Sequence, residues 1–293
     1  MGLILRLSEM LRRLAKTFEG PHEITLAGGL GSVLQSGGSI RHVAFYRVAP
    51  LTAAAAEPVV ADRHLEARPV GQTIVFSDLH LKRGDRPVLS GIDLALEERR
   101  VGVLGLNGSG KSSLLKLMVG LLPPTSGSVC IDGLVPSVDA ASVRARTGFL
   151  FQSADNQIVY PIVREDLAFG LKGKAEEVDT VISEALDRLG IASLADRRIH
   201  ELSGGERQLV ALAGVLARNP RTILFDEPTS QLDLANRNRF RDVLAGLSQQ
   251  AVVVTHDLDL VADFDRVLVV DNGRIAFDGS PEEAVAFYRR RHG

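Results

Sequence analysis

The sequence is poor in residues that mark several protein classes. It has one cysteine, Cys130, no tryptophan, and only 5% aromatic residues among 293. A single cysteine excludes an internal disulfide and is typical of a protein in a reducing cytosol. The formal net charge is −2 and the pI is about 6.4. The chain therefore lacks the overall basic surface that nucleic-acid binding requires.

Long apolar runs are absent as well. The longest stretch without a polar residue, residues 209–217, is too short to span a bilayer, which takes about 20 residues. Charged residues near the start of the chain interrupt any apolar run there, so we expect no signal peptide, which needs an apolar core. With 45% hydrophobic residues, the chain can fill the core of one large or two small domains. We expect a soluble chain.

Residues 1–71 differ in composition from the rest, and we expect a flexible N-terminal extension with a short amphipathic helix. Apolar residues recur at helical spacing at Leu3, Leu7, Leu11, Leu14 and Phe18. This helix could lie on a membrane surface, or it could pack on the body of the protein. From residue 20 onward, glycine, alanine, serine and proline are typical of a flexible tract. A start codon assigned too far upstream would also explain the segment.

A glycine-rich stretch after an apolar run is the most informative part of the chain. The pattern G-x-x-x-x-G-K-S lies between a predicted strand and a predicted helix, which is the context of a phosphate-binding loop. Its glycines allow backbone N–H groups to face an anion, and the helix N-terminus favours negative charge. We expect ATP-binding residues at Gly105, Leu106, Asn107, Gly108, Ser109, Gly110, Lys111, Ser112 and Ser113. Lys111 would reach the phosphates, and Ser112 would ligate Mg²⁺.

Residues 72–293 alternate between apolar strands and helices, which predicts an α/β domain. Residues 92–96 alternate as an antiparallel strand does. Predicted helices over 165–171 and 176–189 indicate an inserted helical lobe. Residues 280–283 form a capping box that begins the last helix.

Two carboxylates, Asp226 and Glu227, end the apolar strand predicted over 222–225. In phosphate-loop proteins, an aspartate at this strand end holds Mg²⁺ beside the loop hydroxyl. Glu227 is then placed to act on the water that attacks the γ-phosphate. A solvated pair would be the simpler interpretation of an isolated Asp-Glu, but the phosphate loop in the same chain favours the catalytic one.

A second group of small residues opens a helix before that strand: Leu202, Ser203, Gly204, Gly205 and Glu206. A serine and two glycines at a helix N-terminus form another anion site. One nucleotide has no use for a second phosphate clamp unless a second molecule supplies it. This arrangement resembles the ATP-binding cassette (ABC) family, whose signature is Leu-Ser-Gly-Gly. The resemblance covers residues 72 to about 279.

The resemblance implies a P-loop NTPase fold of ABC type, with an antiparallel β subdomain and an inserted helical lobe. It implies that Gln152 contacts Mg²⁺ and water and relays to a membrane partner. Asp233 would belong to the D-loop, and His256 would be the switch histidine at the γ-phosphate. Arg83 stands where an aromatic residue usually stacks on adenine. A guanidinium can stack on a base too, so ATP binding stands and base selectivity is open.

Finer motifs resemble the energy-coupling factor (ECF) importers of vitamins and metal ions. A second glutamine follows Asp-Asn at 155–157, and Glu-Asp-Leu-Ala-Phe-Gly occupies 165–170. Residues 98–102 and 157–161 are similar to the ATP-binding subunit of biotin transporters. Cobalt and nickel importers share most of these motifs and stay an alternative, as do importers of other vitamins.

These residues together predict an ATP-hydrolysing subunit of an importer. Glu227 would polarise water, His256 and Lys111 would stabilise the transferring phosphoryl group, and Asp226, Ser112 and Gln152 would hold Mg²⁺. The expected partners are a second ATPase subunit, identical or related, a transmembrane coupling subunit and a substrate-binding membrane subunit. The chain would lie at the cytoplasmic face of the cell membrane.

Two other functional classes remain as alternatives. A soluble ABC protein acting on nucleic acid is disfavoured by the single cassette, the absence of a coiled-coil arm between Lys111 and Ser203, and the acidic pI. A nucleotide sensor without turnover is disfavoured by Glu227.

Overall fold

The computed structural model describes residues 73–292. The predicted extension of residues 1–71, with its amphipathic helix, lies outside the described residues. The strands are β1 (Ile74–Arg83), β2 (Arg86–Leu96), β3 (Arg100–Leu104), β4 (Ser126–Ile131), β5 (Thr147–Leu150), β6 (Thr222–Asp226), β7 (Gln250–Val254), β8 (Arg266–Asp271) and β9 (Arg274–Gly279). The helices are α1 (Lys111–Met118), α2 (Ala140–Arg146), α3 (Val163–Ala168), α4 (Ala175–Arg188), α5 (Gly204–Leu216), α6 (Leu234–Gly246) and α7 (Pro281–His292).

A small antiparallel sheet has the strand order β2-β1-β4. Along β2, Ile92, Leu94 and Leu96 are buried and the residues between them are exposed. This alternation arises because one face of the sheet packs on the core and the other meets solvent. The predicted antiparallel β subdomain is confirmed.

A larger sheet has the order β5-β6-β7-β3-β8-β9. Its strands are parallel except for β9, which pairs antiparallel with β8. Every residue of β3, β6 and β7 is buried, as expected of parallel strands that are covered on both faces. The carboxyl ends of β6, β7 and β3 are therefore adjacent, and each leads directly into residues of the candidate site.

Three hydrophobic clusters cover the larger sheet, and the two largest lie on opposite faces of β6 and β7. One contains core residues of the small sheet and of α1, packed with Leu224, Val252 and Val254. The other contains residues of α3, α4 and α5, packed with Phe225 and Val253. Successive residues of β6 and β7 thus belong to different clusters, as the alternation of side chains along a strand requires. The predicted helical lobe is confirmed.

Helix boundaries differ slightly from the predicted ones. The helix predicted over 165–171 begins at Val163 and ends at Ala168, because Phe169 is extended and Gly170 has a φ of 82°. The last helix begins as predicted, with the Glu283 N–H donating to Ser280 Oγ at 3.4 Å. Within residues 73–292, every helix is too short or too polar to cross a membrane.

Candidate active site

The loop between β3 and α1 requires glycine at two close approaches. Gly105 has a φ of 156°, and a Cβ there would collide with the carbonyl oxygen of Val270. Gly110 has a φ of 111°, and a Cβ there would lie 2.7 Å from Leu89 Cδ2. Only glycine avoids both the steric conflict and the backbone strain. The loop therefore packs against neighbouring strands and leads into the N-terminus of α1.

The side chain of Lys111 folds back into this loop. Its Nζ donates to the carbonyl oxygens of Gly105 at 2.8 Å and Leu106 at 3.0 Å. Burial lowers the pKa of Lys111, while the negative charges of Glu227 and Asp226 act in the opposite direction. The two backbone acceptors compensate for the burial of this amine, so the Lys111 side chain is held within the loop.

Two oxygen atoms meet where α1 begins and β6 ends. The Ser112 hydroxyl donates to Asp226 Oδ1 at 2.6 Å, and Asp226 is the last residue of β6. The structure thus brings together two of the three residues that the sequence assigns to the metal, Ser112 and Asp226, although they are 114 positions apart.

Glu227 occupies an unusual backbone position beside these oxygens. Its φ is 50°, although the next residue is Pro228, and its N–H donates to the carbonyl oxygen of Val254 at 2.9 Å. Its Oε2 lies 2.7 Å from His256 Nδ1. Its Oε1 is buried, makes no hydrogen bond within residues 73–292, and lies 3.9 Å from Lys111 Nζ. One carboxylate therefore touches both the histidine and the lysine predicted for the site.

The residues 202–206 form the N-terminal cap of α5. The Glu206 N–H donates to Ser203 Oγ at 3.2 Å, and the Ser203 N–H donates to Glu206 Oε2 at 2.8 Å. Hydrogen bonding of the Glu206 carboxylate by the backbone N–H of Ser203, and also by its side chain, lowers the pKa of Glu206. A Cβ on Gly205 would collide with the Asn236 amide of α6, so the N-termini of α5 and α6 lie side by side. Asp233 caps α6 by accepting from the Asn236 N–H at 2.8 Å.

Comparison with known proteins agrees with this geometry. Residues 89–230 match the ABC transporter family. The biotin transport ATP-binding protein BioM of Rhizobium etli is 47% identical over 219 residues, 74% of this chain and 97% of that protein. This chain belongs to the ATP-binding proteins of ABC transporters.

Two further relatives extend the comparison of this ABC protein. An energy-coupling factor transporter ATP-binding protein of Lacticaseibacillus paracasei is 40% identical over 191 residues, 62% of this chain and 69% of that one. The solved structure of cbiO1 from Clostridium perfringens, part of the ABC transporter complex cbiONQ, has a TM-score of 0.66 and 31% identity, and covers 74% of this chain and 93% of that chain. The predicted family, fold class and ATP hydrolase activity are confirmed.

The structure does not draw all predicted residues of the ABC site together. Within residues 73–292, no hydrogen bond or ion pair joins the signature residues 202–206 to the loop 105–113. Gln152 is exposed just beyond β5. Arg83 is exposed at the end of β1, opposite Arg86 across the hairpin. The roles of these three sets stay predictions.

Two side chains of the region make contacts that the sequence did not predict. The Ser230 hydroxyl donates to the carbonyl oxygen of Glu227 at 3.0 Å and so helps to hold the strained backbone. Gln208, buried on α5, donates from Nε2 to the carbonyl oxygen of Phe151 at 3.0 Å. The D-loop stretch that begins at Ser230 does not predict this contact, and a lone glutamine has no spacing signal that would mark it. Only the tertiary fold brings either residue to its acceptor.

Proposed function

We propose that this protein is the ATP-hydrolysing subunit of an ECF-type ABC importer and drives the uptake of a vitamin, most simply biotin. The observation that carries the proposal is the convergence of Lys111, Asp226, Glu227 and His256 at the carboxyl ends of three adjacent parallel strands. The similarity to a biotin transport ATP-binding protein and to an energy-coupling factor ATP-binding protein supports the class and the solute.

The oxygen donors of the site fit Mg²⁺. Ser112 Oγ and Asp226 Oδ1 lie 2.6 Å apart, and oxygen ligands are those that this hard cation prefers. Gln152, which follows the end of β5, would complete the set of oxygen ligands. Bound there with ATP, Mg²⁺ would supply positive charge that offsets the charge of the phosphates.

The protein's own residues would then perform three tasks. Backbone N–H groups of the loop and the N-terminus of α1 hold the phosphates. Lys111, already buried in the loop, donates to the phosphate oxygens and stabilises their negative charge. Glu227 Oε1, which makes no hydrogen bond within residues 73–292, accepts one from the attacking water.

His256 has a place in the same step. Its Nδ1 contacts Glu227 Oε2 at 2.7 Å, while 59% of its side chain is exposed. The contact orients the carboxylate, and the exposed part of the ring can face the γ-phosphate. Glu227 and His256 would therefore act as a unit.

The signature residues would act on ATP held by a second subunit. Ser203 and Gly205 lie at the N-terminus of α5, where backbone N–H groups and the helix dipole favour an anion. They make no hydrogen bond to the phosphate loop of their own chain within residues 73–292. A head-to-tail dimer, of identical or related subunits, would place them against the partner's nucleotide.

An apolar surface near Gln152 would receive the membrane subunits. The side chains of Val159 and Tyr160 are 71% and 40% exposed. They line an open groove of about 520 Å³, together with His200 and Arg207. Exposed apolar side chains beside a groove are typical of interaction sites. Docking of a transmembrane coupling subunit here would place the protein on the cytoplasmic face of the membrane, with a substrate-binding subunit beside it.

The catalytic part is tested with Glu227→Gln. We expect nearly unchanged ATP affinity and a turnover lower by about 10²–10⁴, the usual contribution of a positioned acid–base group. Glu184→Gln, the same change at an exposed position on α4, is the matched control and should keep full activity. Steady-state ATPase rates and ATP binding measure both, and wild-type turnover in Glu227→Gln would contradict the assignment.

The transport part is tested by co-expression with the membrane subunits. We expect the three proteins to purify together. We also expect the complex to catalyse ATP-dependent uptake of labelled biotin. Uptake of cobalt or nickel instead would change the solute and keep the class. ATPase activity stimulated by DNA, without membrane association, would overturn the proposal.

A further inference from the structure

Two glutamine side chains hold both backbone groups of the residue before Gln152. The Phe151 N–H donates to Gln157 Oε1 at 3.4 Å, and the Gln157 Nε2 donates to the carbonyl oxygen of Ala211 on α5 at 3.0 Å. From α5 itself, Gln208 Nε2 donates to the carbonyl oxygen of Phe151 at 3.0 Å. Phe151 is thus tied twice to the helix whose N-terminus is the signature.

The rest of this short segment follows the same helix. One 3₁₀ turn over Ala154–Asn156 brings Gln157 back toward Phe151. Arg207 of α5 forms an ion pair with Asp155 at 3.3 Å, and Ala154 is buried in the cluster that α5 dominates. By contrast, the chain leaves the large sheet at Leu150, the last residue of β5. Residues 151–157 are therefore attached to α5, while the ring of Phe151 also packs on that of Phe149 in β5, with ring centroids 4.5 Å apart.

We propose that Gln157 and Gln208 are positioning residues that make Gln152 move together with the signature at the start of α5. The inference rests on the proposed function, in which Gln152 serves the chain's own nucleotide and Ser203 serves the partner's. Gln208 is only 3% exposed, so its amide has no water to replace the bond to Phe151. A displacement of α5 must therefore displace Phe151 and with it Gln152.

The coupling between Gln152 and the N-terminus of α5 acts in both directions. Occupation of the chain's own loop, sensed at Gln152, biases the orientation of the α5 N-terminus, and engagement of that N-terminus by a partner biases Gln152 equally. The two amides thus link the two nucleotide sites of a dimer through one chain.

The variants Gln208→Met and Gln157→Met, singly and together, remove the amides and keep the length of the side chain. Gln250→Met is the matched control. Gln250, the first residue of β7, is also buried: its Nε2 donates to the carbonyl oxygen of Glu98 at 3.1 Å, and its Oε1 accepts from the Thr222 hydroxyl at 2.7 Å. Thermal unfolding of all variants measures the loss of stability that any buried amide incurs.

The variants Gln208→Met and Gln157→Met, single and double, are the clamp variants. We expect them to bind Mg-ATP within about twofold of wild type and to lose about tenfold in kcat, with KM nearly unchanged. The double variant should lose little more than either single one, because both amides hold the backbone of the same residue, Phe151. Gln250→Met should lose stability alone. Equal kcat in the clamp variants and the control would overturn the inference.

A second measurement follows the coupling directly. Amide hydrogen exchange at residues 204–207 is compared with and without Mg-ATP in a Glu227→Gln background, at a concentration where light scattering shows a monomer. We expect ATP to alter exchange there, and the clamp variants to bind ATP without that response. A response that persists in the double variant contradicts the clamp. Failure of the Glu227→Gln background to bind ATP would instead contradict the proposed function, and the two failures are therefore distinguishable.

Discussion

At the scale of single residues, Glu227 shows how the fold holds a strained group at the site. A left-handed backbone before proline is disfavoured, and such conformations cost about 1–3 kcal/mol. The end of β7 offsets that cost, since the Glu227 N–H donates to Val254, and the Ser230 hydroxyl caps the Glu227 carbonyl. The strain turns the carboxylate toward Lys111 and His256, where a regular continuation of β6 would not place it.

Arg100 is a second residue whose role comes from burial. It is 8% exposed at the start of β3 and donates to carbonyl oxygens of Leu244 at 2.9 Å and Gln249 at 2.7 Å, and to that of Leu247. Burial lowers its pKa to about 10, so it stays protonated at neutral pH. It thereby satisfies the carbonyls that end α6, as a cation at a helix C-terminus should.

We predict that Arg100→Met lowers the free energy of unfolding by about 3 kcal/mol, because buried carbonyls lose their donors. ATP affinity should change little, since none of these contacts reaches the phosphate loop. Arg144→Met on α2 is the matched control: Arg144 is exposed, and its loss should cost less than about 1 kcal/mol. Urea unfolding measures both, and equal destabilisation by the two variants would refute the role of Arg100.

At the scale of elements, the cap of α5 depends on a titrating group. The lowered pKa of Glu206 reflects its bonds with Ser203. A carboxylate with a lowered folded pKa stabilises the fold above its ordinary pKa, about 4.3, and loses that contribution as pH falls through the lower folded value. We predict that Glu206→Ala is less stable than wild type at pH 7 and that the difference shrinks below about pH 4. Urea midpoints across this range measure it. A difference that does not depend on pH would show that the charge is irrelevant.

The elements also show what the sequence can and cannot predict. The phosphate loop, the carboxylates after β6 and the histidine after β7 were predictable, because short motifs carry them and parallel strands align their ends. The strand β9 was missed, although Asn272-Gly273, with φ of 48° and 73°, is the tight turn that a hairpin uses. The glutamine clamp on Phe151 could not be predicted, since its partners lie 6 and 57 positions away and share no periodicity.

At the scale of the whole molecule, every residue assigned to the site lies within residues 73–292. We predict that deleting residues 1–71 leaves ATP hydrolysis unchanged, because no motif lies before Gln72. ATPase rate and nucleotide affinity of the shortened chain measure this. Aggregation or loss of ATP binding would show that the segment is structural, and N-terminal sequencing of the native protein would test whether it is made.

The dimer is tested with two variants that damage different halves of each site. Ser203→Arg puts bulk and charge at the N-terminus of α5 and spares its own phosphate loop. Lys111→Ala disables the loop and spares the signature. In a symmetric head-to-tail dimer, either change alone affects both sites, so each variant should be nearly inactive in the presence of the membrane subunits.

Mixing the two variants distributes the damage unevenly. A mixed pair places Ser203→Arg opposite Lys111→Ala in one site, which carries both defects, and leaves the other site with an intact loop and an intact signature. If one such site suffices for turnover, ATPase activity should rise with mixing and peak at equal amounts. Full activity of Ser203→Arg alone would refute the head-to-tail arrangement. Inactivity at every ratio, with mixed pairs shown to form, would mean that turnover requires both sites to be intact. That result is expected if the link from Ser203 through α5 to Gln152 makes each site depend on the other.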